Sequence, residues 1–189
     1  MRKIMAVCVL TLLTNMALAA PPLNILLTND DGYLAPGIQA LRASLLEAGH
    51  NVFLIAPATN QSGSGTSITS QGVAYTSHGN QVWSVAGRPA DAVRLGIGHI
   101  LQDNPPDIVL SGINFGQNVG QDVVVSGTIG AAVTAVQLGF PAMAASAEIN
   151  FDEAATGFPS TLTTFPWAAA VITDLIQDPR TRLHDSFLN

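Results

Sequence analysis

Past its first twenty residues the sequence contains no cysteine and no lysine. Without cysteine, the folded part has no disulfide to form in an oxidising compartment and no thiolate to offer a metal. Without lysine, its cations are Arg42, Arg88, Arg94, Arg180 and Arg182, set against all thirteen acids for a formal charge of −8 with histidine neutral. So acidic a surface excludes nucleic acid and anionic membrane as partners, because both require clustered Lys or Arg. Internal repeats and low-complexity linkers are also missing. The four histidines, His50, His78, His99 and His184, are scattered and begin no metal-binding spacing.

The first twenty residues read differently. Arg2 and Lys3 precede an apolar run from Ile4 to Leu13, and Ala17-Leu18-Ala19 forms a small-residue cleavage signal. The run is shorter than the roughly 20 apolar residues of a spanning helix, so residues 1–20 are expected to be a signal peptide. The mature chain is then exported to the periplasm or secreted, with no membrane segment after cleavage. What remains, about 170 residues, suits a single domain.

Leu23–Thr28 is a continuous apolar run, the pattern of a parallel strand buried on both faces. A helix is predicted from Pro36 to Ala48, with Ile38, Leu41, Leu45 and Leu46 as its apolar stripe and Gly49 as its stop. Further strands are expected at Val52–Ala56, Asp107–Leu110 and Pro141–Ala145. A short hairpin pairs Val73–Tyr75 with Gln81–Val85. Helices are expected at Pro89–Leu101, Ile129–Leu138 and Phe165–Ile176. Strands alternating with helices imply an α/β fold, a Rossmann-like three-layer α/β/α arrangement with a mostly parallel sheet.

Four polar stations lie just past the carboxyl ends of these strands: Asp30-Asp31, Asn60-Gln61-Ser62-Gly63, Asn114 with Asn118, and Ser126-Gly127-Thr128. In an open α/β sheet such loops meet in one crevice. The groups on offer are carboxylate, hydroxyl and amide oxygens, a donor set that selects Mg²⁺, Mn²⁺ or Ca²⁺. Adjacent carboxylates repel unless a cation or a proton lies between them. They can equally cap the next helix. Ser126-Gly127-Thr128 opens a helix and suits a phosphate, or serves as an ordinary Ser N-cap. Asn114 and Asn118 can likewise shape Asx turns.

Taken in order, Leu27-Thr28-Asn29-Asp30-Asp31-Gly32, Ala56-Pro57, Asn60-Gln61-Ser62-Gly63, Ser111-Gly112-Ile113-Asn114, Gly116, Asn118, Gly120 and Ser126-Gly127-Thr128 resemble the SurE family of metal-dependent survival-protein phosphatases, which are 5′/3′-nucleotidases. The resemblance runs from Leu23 to about Ser146. It implies one divalent cation, Mg²⁺ or Mn²⁺, held by Asp30, Asp31, Ser62 and Asn114. It places Asn118, Ser126, Gly127 and Thr128 on the phosphate side, with Asp30, Asp31, Asn118 and Ser126 as catalytic residues. The implied reaction is hydrolysis of nucleoside 5′- and 3′-monophosphates or other small phosphomonoesters.

The match has departures. Thr59 stands where the family commonly has arginine, Arg88 interrupts a Gly-Thr-Pro-Ala-Asp stretch, and Thr134 replaces a frequent acid. The chain ends at Phe187-Leu188-Asn189, where the family continues into a C-terminal arm used for homodimers, so residues 21–189 are expected to be a domain lacking its C-terminal part. The competing readings are an exported phosphate- or nucleotide-binding protein and an inactive relic. A haloacid-dehalogenase-type phosphatase and a P-loop are excluded, since each needs a lysine.

Overall fold

The computed structural model describes residues 21–178. The expected signal peptide, Arg180, Arg182, His184 and the C-terminal segment lie outside the described residues. Among the described residues six strands form one sheet: β1 (Asn24–Thr28), β2 (Asn51–Pro57), β3 (Tyr75–Ser77), β4 (Val82–Val85), β5 (Ile108–Phe115) and β6 (Ala142–Ala147), in the order β3-β4-β2-β1-β5-β6. Every neighbouring pair is parallel except the β3–β4 hairpin.

The helices are α1 (Pro36–Glu47), α2 (Pro89–Leu95), the single turn α3 (Asp122–Val125), α4 (Gly127–Gln137) and α5 (Pro159–Gln177). They cover both faces, as the alternation of β1 dictates. Ile25 and Leu27 point into a core with Ile38, Leu41 and Leu45 of α1 and Phe165, Ala169 and Ile172 of α5. Leu26 points the other way, toward Ala92 and Val93 of α2 and Ala131 and Ala135 of α4. All three β1 residues are fully buried. The result is the α/β/α sandwich that the strand–helix alternation implied. None of the described helices is long and apolar enough to cross a membrane.

Several elements differ from their sequence-predicted bounds: β3 is Tyr75–Ser77 where Val73–Tyr75 is expected, α4 starts two residues early at Gly127, β6 runs on to Ala147, and three differences are larger or bear on the site. β5 runs through Asn114 to Phe115 instead of ending at Leu110, because an extra residue is absorbed between Ser111, paired with Ala144, and Asn114, paired with Ser146. Such a bulge re-aims the side chains beyond it. The helix predicted over Pro89–Leu101 is α-helical only to Leu95 and continues as a wider π-type turn over Gly96–Ile100. Helix α5 starts at Pro159, six residues before its apolar stripe. Pro159 is pre-set for a first turn, and the hydroxyls of Thr163 and Thr164 bond back to the Pro159 and Ser160 carbonyls.

β1 lies between β2 and β5, and the chain leaves it toward β2 and later returns on its other side to build β5 and β6. The carboxyl ends of β1 and β5 therefore bracket the topological switch point, where a crevice opens.

Candidate active site

At the end of β1 the chain turns sharply. Asn29 closes the turn with both ends of its amide: Nδ2 donates to Gly32 O at 3.0 Å, and Oδ1 accepts from Gly32 N at 3.2 Å. Gly32 has φ +108°, a conformation that only glycine adopts without strain. This turn throws the two adjacent acids in different directions. Neither caps α1, whose N-cap is Ala35 with no side-chain hydrogen bond.

Asp30, 3 % exposed, is held from two sides. Its Oδ1 accepts a 2.5 Å hydrogen bond from Thr128 Oγ1, and its backbone oxygen accepts from Gln61 N at 2.6 Å. Helix α4 presses directly against it. A β-carbon on Gly127 would stand 2.8 Å from Asp30 Cβ and 2.6 Å from Ser64 Oγ, so only glycine admits this approach. Asp31 Oδ2 accepts from Phe115 N at 2.8 Å, which fastens the turn to the end of β5. Burial pushes the Asp31 carboxyl above its ordinary value, the Phe115 N–H draws it back down, and the neighbouring Asp30 charge raises it again.

Asp30, Ser62, Asn114, Asn118 and Ser126 line a single cavity of about 300 Å³. The four polar stations after the strands thus converge. Asn114 Nδ2 donates to Gly116 O at 2.7 Å, which leaves its Oδ1 as the group to offer a ligand. Ser62 is shaped by an Asx turn, its N–H bonding Asn60 Oδ1 at 2.9 Å. Asn118 Nδ2 donates to Ser146 Oγ at 2.8 Å. Ser126 is the N-cap of α4, with its Oγ accepting from Ile129 N at 3.2 Å.

Asp31, Gly127 and Thr128 do not line the cavity. Asp31 Oδ2 is bonded to the N–H of Phe115, itself a lining residue, while Gly127 and Thr128 back Asp30. Thr59, Arg88 and Thr134, where the chain departs from the resembled pattern, also lie off the cavity. Sequence reasoning missed Asp122, Gln117, Val125, Ile149 and Phe151, all of which line it. Asp122 carried a usable signal, an acid in the same polar loop as Asn118. The apolar ones carried none, since nothing local marks them as neighbours of the acids.

The residues present fit a hard divalent cation. The donors are oxygens throughout, Asp30 Oδ2 and Asn114 Oδ1 have no protein donor among the described residues, and none of the described arginines reaches the cavity to neutralise the acids. The buried Asp30 carboxylate, with the Asp31 charge next to it, is relieved by a bound cation.

The model of the Survival protein SurE family matches residues 25–189. The chain belongs to this family. The protein named 5′-nucleotidase SurE of Desulfitobacterium hafniense (strain DSM 10664 / DCB-2) is 49% identical over 129 residues, covering 66% of this chain and 51% of that protein. Its namesake in Hyphomonas neptunium is 41% identical over 156 residues, covering 82% of this chain and 60% of that one. The crystal structure of the SurE protein from Aquifex aeolicus matches with a TM-score of 0.70 at 38% identity, over 80% of this chain and 58% of that chain. The chain thus spans about half to three-fifths of the length of these relatives.

Proposed function

We propose that the chain hydrolyses phosphomonoesters, nucleoside 5′- and 3′-monophosphates above all, using one divalent cation, Mg²⁺ or Mn²⁺. The observation that carries this reading is the convergence of Asp30, Ser62, Asn114, Asn118 and Ser126 on one cavity at the switch point. The 5′-nucleotidase designation of the relatives supports the substrate class.

Asp30, Ser62 and Asn114 would hold the cation from the cavity lining, and Asp31, whose Oδ1 has no protein donor among the described residues, from beside Phe115. When bound, it supplies Lewis-acid polarisation of a phosphoryl oxygen and activation of a water molecule. The chain's own groups do the rest. The Ser126 hydroxyl accepts from Ile129 N, so its proton remains free to donate to a phosphate oxygen. The Gly127 and Thr128 N–H groups open α4 ahead of any intrahelical partner and favour an anion at that end. Asn118, oriented by Ser146, adds a further polar contact. Together these groups stabilise the charge that spreads over the phosphoryl oxygens during in-line displacement. A carboxylate of the acid pair accepts the proton of the attacking water.

The test is steady-state phosphate release from AMP with Mn²⁺, using protein free of contaminating phosphatase. Turnover should disappear on chelation and in the double variant Asp30→Asn with Asp31→Asn. Hydrolysis that survives in the double variant overturns the mechanism. Tight binding of AMP without turnover would make the chain a nucleotide-binding protein instead.

A further inference from the structure

We infer that Phe151, with Ile149 and Val125, forms an apolar shelf at the cavity mouth that stacks the nucleobase of the substrate, and so selects nucleotides over phosphomonoesters of small aliphatic alcohols. The inference rests on the phosphomonoester reading above and deepens it.

The cavity, about 300 Å³, lies at the low end of small-molecule sites. A phosphoryl group seated over the buried Asp30, Asn114 and Ser126 would set the rest of a nucleotide against the exposed lining. The exposed part of the lining carries Val125 and Phe151, with Ile149 half-buried, beside the polar Ser62, Gln117 and Asp122, whereas Asp30, Asn114 and Ser126 are buried. Phe151 is 69 % exposed although it lines the cavity, and it has no ring partner among the described residues. Phe115 differs. It also lines the cavity, but its ring packs edge-on against Phe158 at 5.5 Å and tilted against Phe165 at 6.0 Å, so it belongs to the wall.

The shelf is fastened to the segment that supplies the polar floor. Ile149 N donates to Gln117 Oε1 at 3.1 Å, and Ile149 Cδ1 rests 3.2 Å from where a β-carbon of Gly116 would stand. Asn114 and Asn118 flank those two residues. Phe151 opens a 3₁₀ turn (Phe151–Thr156) whose cap, Asn150 Oδ1, accepts from Asp152 N at 3.2 Å. Shelf and floor are therefore held in register, at a separation set by the fold. A ring without hydrogen-bonding groups stacks any base face, so the shelf recognises a nucleobase as a class and not one base among others.

The test uses ligands that cannot turn over: the phosphonate analogue of AMP, with a P–C bond in place of the ester, and methylphosphonate. Their dissociation constants are measured by calorimetry on the Mn²⁺-loaded chain. Phe151→Ala should weaken the AMP phosphonate about ten-fold relative to methylphosphonate. Phe151→Tyr should restore the wild-type ratio, which separates stacking from a folding defect. An unchanged ratio in Phe151→Ala, or wild-type protein that binds the AMP phosphonate no better than methylphosphonate, overturns the shelf. Absence of phosphate release from AMP alongside a ten-fold ratio change would sink the hydrolase reading and leave the shelf standing.

Discussion

Thr128 Oγ1 donates to Asp30 Oδ1 across 98 residues of sequence, joining the first turn of α4 to the end of β1. Both residues are buried, Thr128 completely. Thr128→Val keeps the shape and removes the donor, leaving a buried carboxylate oxygen without its charge-assisted bond. The expected loss is about 1.5–3 kcal/mol, read from the urea midpoint at unchanged slope, with a weaker Mn²⁺ affinity alongside. Thr128→Ser should recover most of both. A Thr128→Val protein with wild-type midpoint and Mn²⁺ affinity would remove Thr128 from the support of Asp30.

A cation bound by the native state alone raises stability by mass action. At a free Mn²⁺ concentration 100 times its Kd, the gain is about 2.7 kcal/mol. For a domain of this size that corresponds to a Tm rise of about 5–10 °C. Thermal unfolding by circular dichroism, with and without Mn²⁺, measures it. The rise should vanish with Asp30→Asn, and shrink strongly with Asn114→Leu, which removes the amide oxygen. An equal rise in wild type and Asp30→Asn would place the cation elsewhere.

Gly127→Ala tests how tightly α4 must approach the acid. The added methyl would stand 2.6 Å from Ser64 Oγ and 2.8 Å from Asp30 Cβ, so the helix start or Asp30 must shift. Overpacking of this kind costs about 1–3 kcal/mol. Because the displaced group is the candidate ligand itself, phosphate release from AMP should fall by more than that stability loss explains, at temperatures where the variant is fully folded. Wild-type turnover in folded Gly127→Ala would show that Asp30's placement tolerates slack.

The fold was legible because its signals are local. The apolar runs that became β1 and β2 and the stripe of α1 each sit within a dozen residues, and parallel strands buried on both faces announce themselves as continuous hydrophobic segments. The polar side of the site was legible for a related reason: Asp30, Ser62, Asn114 and Ser126 each sit near a strand's carboxyl end, and the switch point gathers the loops that leave those ends. The roles within the site were less so. Sequence order puts Asp31 beside Asp30, but the Asn29–Gly32 turn separates their side chains and sends Asp31 to Phe115 N. Gly127 and Thr128 look outward-facing as a tripeptide with Ser126, yet they back Asp30. Ile149 reaches the cavity through Gln117 and Gly116, a contact between residues about thirty apart that no periodicity encodes, and Phe151 follows two residues on.

The turn that carries Phe151 is tied to α5 by a carboxylate, which gives its stability a pH dependence. Glu153 Oε2 accepts from Ser160 N at 2.9 Å and Ser160 Oγ at 2.7 Å, and Oε1 accepts from Asn150 Nδ2 at 3.3 Å. These donors, the Ser160 backbone N–H foremost, hold the Glu153 carboxyl below its ordinary value of 4.5, and its charge also suits the N-terminal end of α5. The native state therefore binds this proton less readily than the unfolded chain. Its stabilisation is present above 4.5 and is lost as pH falls through the lowered native value. Glu153→Gln should lower Tm slightly at neutral pH, by a difference that persists down to the ordinary glutamate value and closes below it. Glu153 lies at the surface, so the difference should also shrink in high salt. A Tm difference between wild type and Glu153→Gln that does not change from pH 7 to pH 3 would assign the effect to side-chain shape instead of charge, and would uncouple the Phe151 turn from the Glu153 proton.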